Sequence, residues 1–132
     1  MKTYVKLPIL FVFMLIIIAS CHKVNTYEGK ATIISRTTDL TLKDSALIYG
    51  MVYSADKSKM PELTAIVWID GTNIKTNVDS LGSFSLKIKP GTYTIKCSQC
   101  CITDNNAEEL KDISILQNEK IKIEFLLKVV IE

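Results

Sequence analysis

Residues 78–97 read VDSLGSFSLKIKPGTYTIKC, and the alternation inside them decides the fold. Phe84, Leu86 and Ile88 alternate with Ser83, Ser85, Lys87 and Lys89; beyond Pro90-Gly91, Tyr93, Ile95 and Cys97 alternate with Thr92, Thr94 and Lys96. Apolar residues at every second position put one face of an extended strand into a core and the other into water, so this stretch is two half-buried antiparallel strands. The punctuation agrees. Gly82 suits a positive φ after Asp79-Ser80-Leu81, and Pro90-Gly91 fits the middle of a type II turn.

The same period recurs in both directions. Towards the C-terminus, Ile121, Ile123, Phe125 and Leu127 share one face while Lys120, Lys122, Glu124 and Lys128 take the other, with Leu126 the exception. Towards the N-terminus, Asp70-Gly71 suits a tight hairpin between apolar runs. Strands are expected at 46–53, 63–70, 74–78, 83–89, 92–98, 113–116 and 120–128. Short strands with turn signals every 8–12 residues and no sustained helical period indicate an all-β sandwich or barrel over 45–132, and seven strands suffice for two packed sheets.

The chain has 132 residues, of which 48% are hydrophobic, and a formal net charge of +2. That length holds one domain and an appendage. Residues 1–20 contain 15 of the hydrophobic residues, leaving 48 among the remaining 112. Without Lys2 and Lys6, 14 basic side chains face 14 acidic ones. A neutral body without a basic run argues against nucleic acid, whose binding needs clustered Lys/Arg to displace counterions, and against a polybasic membrane patch.

The first segment has the form of a secretory signal: Lys2 and Lys6, then an uncharged run from Leu7 to Ser20. The run is several residues shorter than the roughly 20 needed to span a bilayer, and Pro8 lies near its start. Ile18-Ala19-Ser20-Cys21 resembles the lipobox of bacterial lipoprotein signal peptides. The resemblance implies cleavage after residue 20, a diacylglycerol thioether on Cys21 and an acyl chain on its amine; two or more chains anchor stably where one does not. His22-Lys23-Val24-Asn25 has no acidic residue beside the cysteine, which by resemblance to known sorting rules leans to the outer membrane facing the periplasm, with surface exposure left open. Residues 21–44 read as a lipidated, mostly polar tether. As flexible coil it would span about 25–30 Å, with one short apolar cluster, 31–34, as a candidate extra strand.

Three pieces occur in order: Gly50-Met51-Val52, then Val78-Asp79-Ser80-Leu81-Gly82-Ser83-Phe84, then Pro90-Gly91-Thr92-Tyr93, with Ala65-Ile66-Val67 between the first two. Together they resemble a carboxypeptidase regulatory-like, transthyretin-like domain over residues 45–128, and the resemblance implies a seven-stranded antiparallel β-sandwich. Each matched residue has a structural use. Asp79 bonds the turn backbone, Gly82 supplies a permissive dihedral, and Phe84 and Tyr93 fill the sandwich. The motif specifies a fold, so no catalytic residue transfers with it. Val78 replaces the family's usual Thr, and Cys100-Cys101 stands where a Gly-aromatic pair often follows.

Chemistry is sparse. Cys97-Ser98-Gln99-Cys100-Cys101 holds a CxxC, open to redox, zinc or disulfide roles. No second CxxC completes a zinc site, and a strand end is not the helix start that activates a redox thiol. Cys97 is expected inside the core, with Cys100 or Cys101 in the following loop. The sole histidine, His22, adjoins the anchor, which argues against nucleophilic triads. Asp104, Glu108 and Glu109 fall in a polar stretch read as a solvated connection, and no metal site or cofactor is expected apart from the lipid on Cys21. The remaining candidates are outward aromatic faces: Ile66 and Trp68 on one strand, Tyr49, Met51 and Tyr53 on another, and by the family topology these lie on opposite sheets. Three functions follow in order: a non-catalytic structural or interaction module accessory to an outer-membrane assembly, with an envelope protein as partner; a polysaccharide-binding module using Trp68; and a cysteine-based redox or metal site.

Overall fold

In the computed structural model, residues 25–56, 59–100 and 107–131 are described. The segment expected as a signal, residues 1–20 with the expected lipobox Ile18-Ala19-Ser20, lies outside them, as do Cys21, His22, Cys101 and Asp104. The strands are β1 (Asn25–Tyr27), β2 (Lys30–Thr38), β3 (Ala46–Ser54), β4 (Ala65–Ile69), β5 (Lys75–Asn77), β6 (Ser83–Ile88), β7 (Gly91–Gln99), β8 (Glu108–Ile115), β9 (Glu119–Leu127) and β10 (Val129–Ile131).

Two four-stranded sheets stack as a sandwich. The first, sheet I, runs β2-β9-β3-β6 and the second, sheet II, runs β5-β4-β7-β8; β1 and β10 pair as a separate ribbon. Eight strands therefore build the sandwich where seven were expected. The eighth is β2, nine residues within the stretch read as a tether, and it pairs antiparallel with β9 from Lys30↔Leu126 to Thr38↔Glu119. A register shift between Ile33 and Ser35 lets Ala31 and Ile33 pack on the core while Ile34 stays exposed. Beyond the shift, the Arg36 guanidinium donates to the Ser114 carbonyl at 2.8 Å and lies 3.5 Å from Glu119, tying sheet I to β8 of sheet II.

The core is the inward half of each alternation. Ile48 and Val52 of β3, Val67 and Ile69 of β4, Ile95 and Cys97 of β7, and Ile121, Ile123 and Phe125 of β9 are all completely buried. Phe84 of β6 meets Phe125 with ring centroids 5.9 Å apart, a tilted arrangement favoured by the ring quadrupoles. Gly50 pairs with Ile123 in the parallel β3–β9 ladder with φ 157°, and a Cβ on that backbone would run into the Ile123 carbonyl. Glycine is thus needed at this rung of the ladder.

The loop before β6 is held as the sequence reading anticipated. Asp79 accepts from the Leu81 amide at 2.8 Å and the Ser83 amide at 3.0 Å, and its second oxygen takes the Ser83 hydroxyl. Gly82 has φ 77° and sits against Pro61. The Pro90-Gly91 expectation differs: Gly91 does not take the positive φ a type II turn needs, because it already opens β7, opposite Ile115. Tyr93 closes that corner by donating its hydroxyl to the Lys89 carbonyl at 2.9 Å. The stretch around Glu108 and Glu109 is also not a loop; it is the first part of β8, paired with Cys97 and Lys96.

Candidate functional site

The outward half of β3 and β9 forms the most distinctive surface. Leu47, Tyr49, Met51 and Tyr53 are half-buried on the outer face of sheet I. The parallel β3–β9 register places Tyr49 beside Lys122, Met51 beside Glu124 and Tyr53 beside Leu126. Antiparallel pairing on the other side brings Ser85 opposite Tyr49 and Ser83 opposite Met51. A shallow depression of about 440 Å³ lies on this face, lined by Leu47, Tyr49, Met51, Ser83, Lys120 and Lys122 among others.

Lysines supply the partial cover of the aromatics. Lys120 Nζ stands 5.1 Å from the Tyr49 ring centroid, and Lys59 Nζ stands 4.9 Å from that of Tyr53. Lys59 also pairs with Glu124 at 3.0 Å. Such cation–ring contacts at exposed sites contribute about 0.5–1 kcal/mol, enough to order the lysines and little enough for a ligand to displace them. The result is a strip of apolar and aromatic side chains bordered by cations.

On the opposite sheet, Ile66 and Trp68 of β4 are half-buried on the outer face. Trp68 lies between Lys75 of β5 and Lys96 of β7 in the ladder, and Lys96 lies 3.6 Å from Asp70. The two aromatic patches therefore occupy opposite sheets, and lysines flank both. Of the fold-motif residues, Gly50 and Phe84 also border the depression on sheet I; Val52, Ala65, Val67 and Phe84 are buried in the core, and Asp79, Gly82, Pro90, Gly91 and Tyr93 shape turns and corners.

Cys97 is a free, fully buried thiol opposite Val67. Desolvation, with the Glu108 and Glu62 carboxylates adding to it, pushes its pKa far up; the nucleophilic thiolate is suppressed. Cys100 is exposed just past the end of β7, its amide bonded to the Thr64 carbonyl at 2.8 Å. For Glu62, burial acts upward, but hydrogen bonds from Gln99 and Thr64 outweigh it and hold the carboxyl below the usual range. Burial and the nearby Glu28 charge push Glu108 up, while Lys128 acts in the opposite sense. Among the described residues no group of three or more His, Cys, Asp or Glu is placed to hold a metal ion.

The chain matches no family model and no curated protein. Among solved structures it is similar to a chain of the Coh3ScaB–XDoc_M1ScaA complex, described as an N-terminal interface mutant of a type II cohesin–X-dockerin complex from Acetivibrio cellulolyticus. Identity is 20% and the TM-score 0.47, over 62% of this chain and 58% of that one. The chain thus spans little more than half the length of that structure.

Sequence reasoning named Tyr49, Tyr53, Ile66 and Trp68 but missed the basic border. The signal was present, since Lys120 and Lys122 occupy the outward positions of the cleanest alternation in the chain. What the sequence lacks is the parallel β3–β9 pairing that sets those lysines beside the tyrosines.

Proposed function

We propose that this protein is a bacterial lipoprotein, anchored through acylated Cys21, whose β-sandwich is a carboxypeptidase regulatory-like module that binds a protein partner in the cell envelope without catalysis. Its mechanism is retention at the membrane combined with recognition by a fixed surface. The observation that carries the recognition half is the outer face of sheet I: one strand contributes Leu47, Tyr49, Met51 and Tyr53 at alternate positions, bordered by Lys120 and Lys122. Aromatic and Met side chains on a rigid sheet provide contact area at low entropic cost, and bordering cations steer an acidic surface into place.

The family reading draws support from the geometry of its motif, in which Asp79, Gly82 and Tyr93 each serve a turn or corner. The lipid reading draws support from Ile18-Ala19-Ser20-Cys21. Outer-membrane placement facing the periplasm and an accessory role in an envelope assembly complete the proposal.

The test is photo-cross-linking in cells, with the photoreactive residue at Tyr49 or at Thr92, an exposed position on sheet II. A discrete adduct formed from Tyr49, not from Thr92, and lost in Met51→Lys is expected. Equal cross-linking from both positions, or adducts insensitive to Met51→Lys, would remove this face from the function.

A further inference from the structure

The anchor and the fold together define which end of the sandwich meets the lipid. β1 starts at Asn25, four residues after Cys21, so the connecting chain reaches about 14 Å at full extension. β2 then runs nine residues, Lys30–Thr38, about 26 Å at strand rise. From residue 25 onward the stretch expected as a flexible spacer is therefore mostly strand.

The ladder tells which loops share the anchored end. β3 and β9 run parallel, with Ser54 opposite Leu127, and the β1–β10 ribbon continues from there. The Ser54 amide bonds the Met60 carbonyl, Glu62 bonds Val52, and Val52 bonds Gly82, so the segment 59–64 and the turn 79–82 lie at this end. Three large apolar side chains are exposed on them: Met60 at 61%, Leu63 at 56% and Leu81 at 69%. Leu40 and Leu116 lie at the other end, where Asp39 bonds Asn118 and Asn118 bonds Ser45. Charge at this end is mixed, with Lys30, Lys59 and Lys128 exposed and Glu28 exposed as well.

We infer that the sandwich stands end-on at the bilayer, with Met60, Leu63 and Leu81 turned to the lipid surface and the end bearing Leu40 and Leu116 facing away. The inference rests on the lipid anchor at Cys21. This orientation holds the outer face of sheet I roughly perpendicular to the membrane, open to a partner approaching laterally.

The test uses the full lipidated protein purified from membranes and reconstituted into phosphatidylethanolamine–phosphatidylglycerol vesicles carrying a headgroup-attached fluorescent acceptor. Trp68, the single tryptophan, is replaced in Trp68→Phe, and a donor is introduced by Leu81→Trp or Leu116→Trp, both at exposed positions. The two sites are separated by about 23 Å along the strand axis, from the level of Val52, bonded to Gly82, to that of Ser45, bonded to Asn118. Energy transfer several-fold stronger from Leu81→Trp is expected, and the pair Met60→Trp and Leu40→Trp repeats the comparison should either variant fold poorly. In the unsubstituted protein, amide exchange across 59–64 and 79–82 is expected to slow on vesicles relative to soluble Cys21→Ser, with 39–45 and 116–118 unchanged. Equal transfer from both ends, or stronger transfer from Leu116→Trp, in protein that floats with the vesicles would overturn the orientation and leave the anchor standing. Protein that does not float and carries no lipid would overturn both.

Discussion

Replacing Gly50 with alanine probes the backbone contact between β3 and β9, where Gly50 has φ 157° and pairs with Ile123. A Cβ at this position would overlap the Ile123 carbonyl, a backbone atom in the centre of the β3–β9 ladder that has no rotamer through which to yield. Overpacking of a well-filled core typically costs 1–3 kcal/mol, and forcing the two strands apart weakens ladder hydrogen bonds contributing about 1 kcal/mol each. The expected loss is about 3–4 kcal/mol, against a total of about 5–15 kcal/mol for a domain of this kind. At roughly 4–8 °C per kcal/mol the melting temperature falls by about 12–30 °C. Gly71→Ala supplies the contrast: nothing lies within 4 Å of its added Cβ, but its φ of 73° remains, so only the left-handed penalty of about 1–2 kcal/mol applies. Thermal and urea unfolding, followed by circular dichroism on the signal-free Cys21→Ser chain, separates the two. A Gly50→Ala protein no less stable than Gly71→Ala would refute the close β3–β9 approach.

Three further outcomes are expected. Phe125→Ala removes a fully buried ring that faces Phe84 and should cost about 3–5 kcal/mol in the same unfolding assay, whereas a loss below about 1 kcal/mol would place the core elsewhere. Hydrogen bonds from the Ser83 hydroxyl, the Ser83 amide and the Leu81 amide hold the Asp79 carboxyl below its ordinary value of 3.8; its contribution is therefore present above that pH and lost as pH falls through the lower folded value, and Asp79→Asn should be less stable than the parent at pH 7 with the gap closing below pH 3.8. Cys97, buried and with its thiol pushed up, should resist iodoacetamide in the native protein and react on denaturation, as peptide mass mapping would record; rapid native alkylation would contradict its core placement.

The strands legible in the sequence are those with one face fully buried. β6, β7 and β9 alternate cleanly because water on one side and the core on the other impose a period of two on each residue choice. β2 was legible only as the candidate strand at 31–34, because Ile33 and Ile34 are adjacent: the register shift turns one inward and leaves the other exposed, which erases the alternation over the rest of its length. The start of β8 escaped because an edge strand buries little. Glu108, Glu109 and Lys111 carry the signature of a solvated loop although the first two are hydrogen-bonded into the sheet, and the positive φ of Asp112 interrupts the pattern further. At the candidate surface the aromatics were legible as outward positions, but the lysines facing them come from a strand some 70 residues later in the chain. Partnership between distant strands is set by topology, on which local periodicity is silent.

Retention at the membrane through Cys21 underlies both the proposed function and the orientation of the sandwich, and intact mass spectrometry of the protein extracted from native membranes tests it most directly. The expected species begins at Cys21 and carries the mass of a diacylglyceryl group and an amine-linked acyl chain, with the increment confined to the N-terminal peptide. A chain that retains residues 1–20, or one that begins near residue 21 with an unmodified Cys21 thiol, would contradict it.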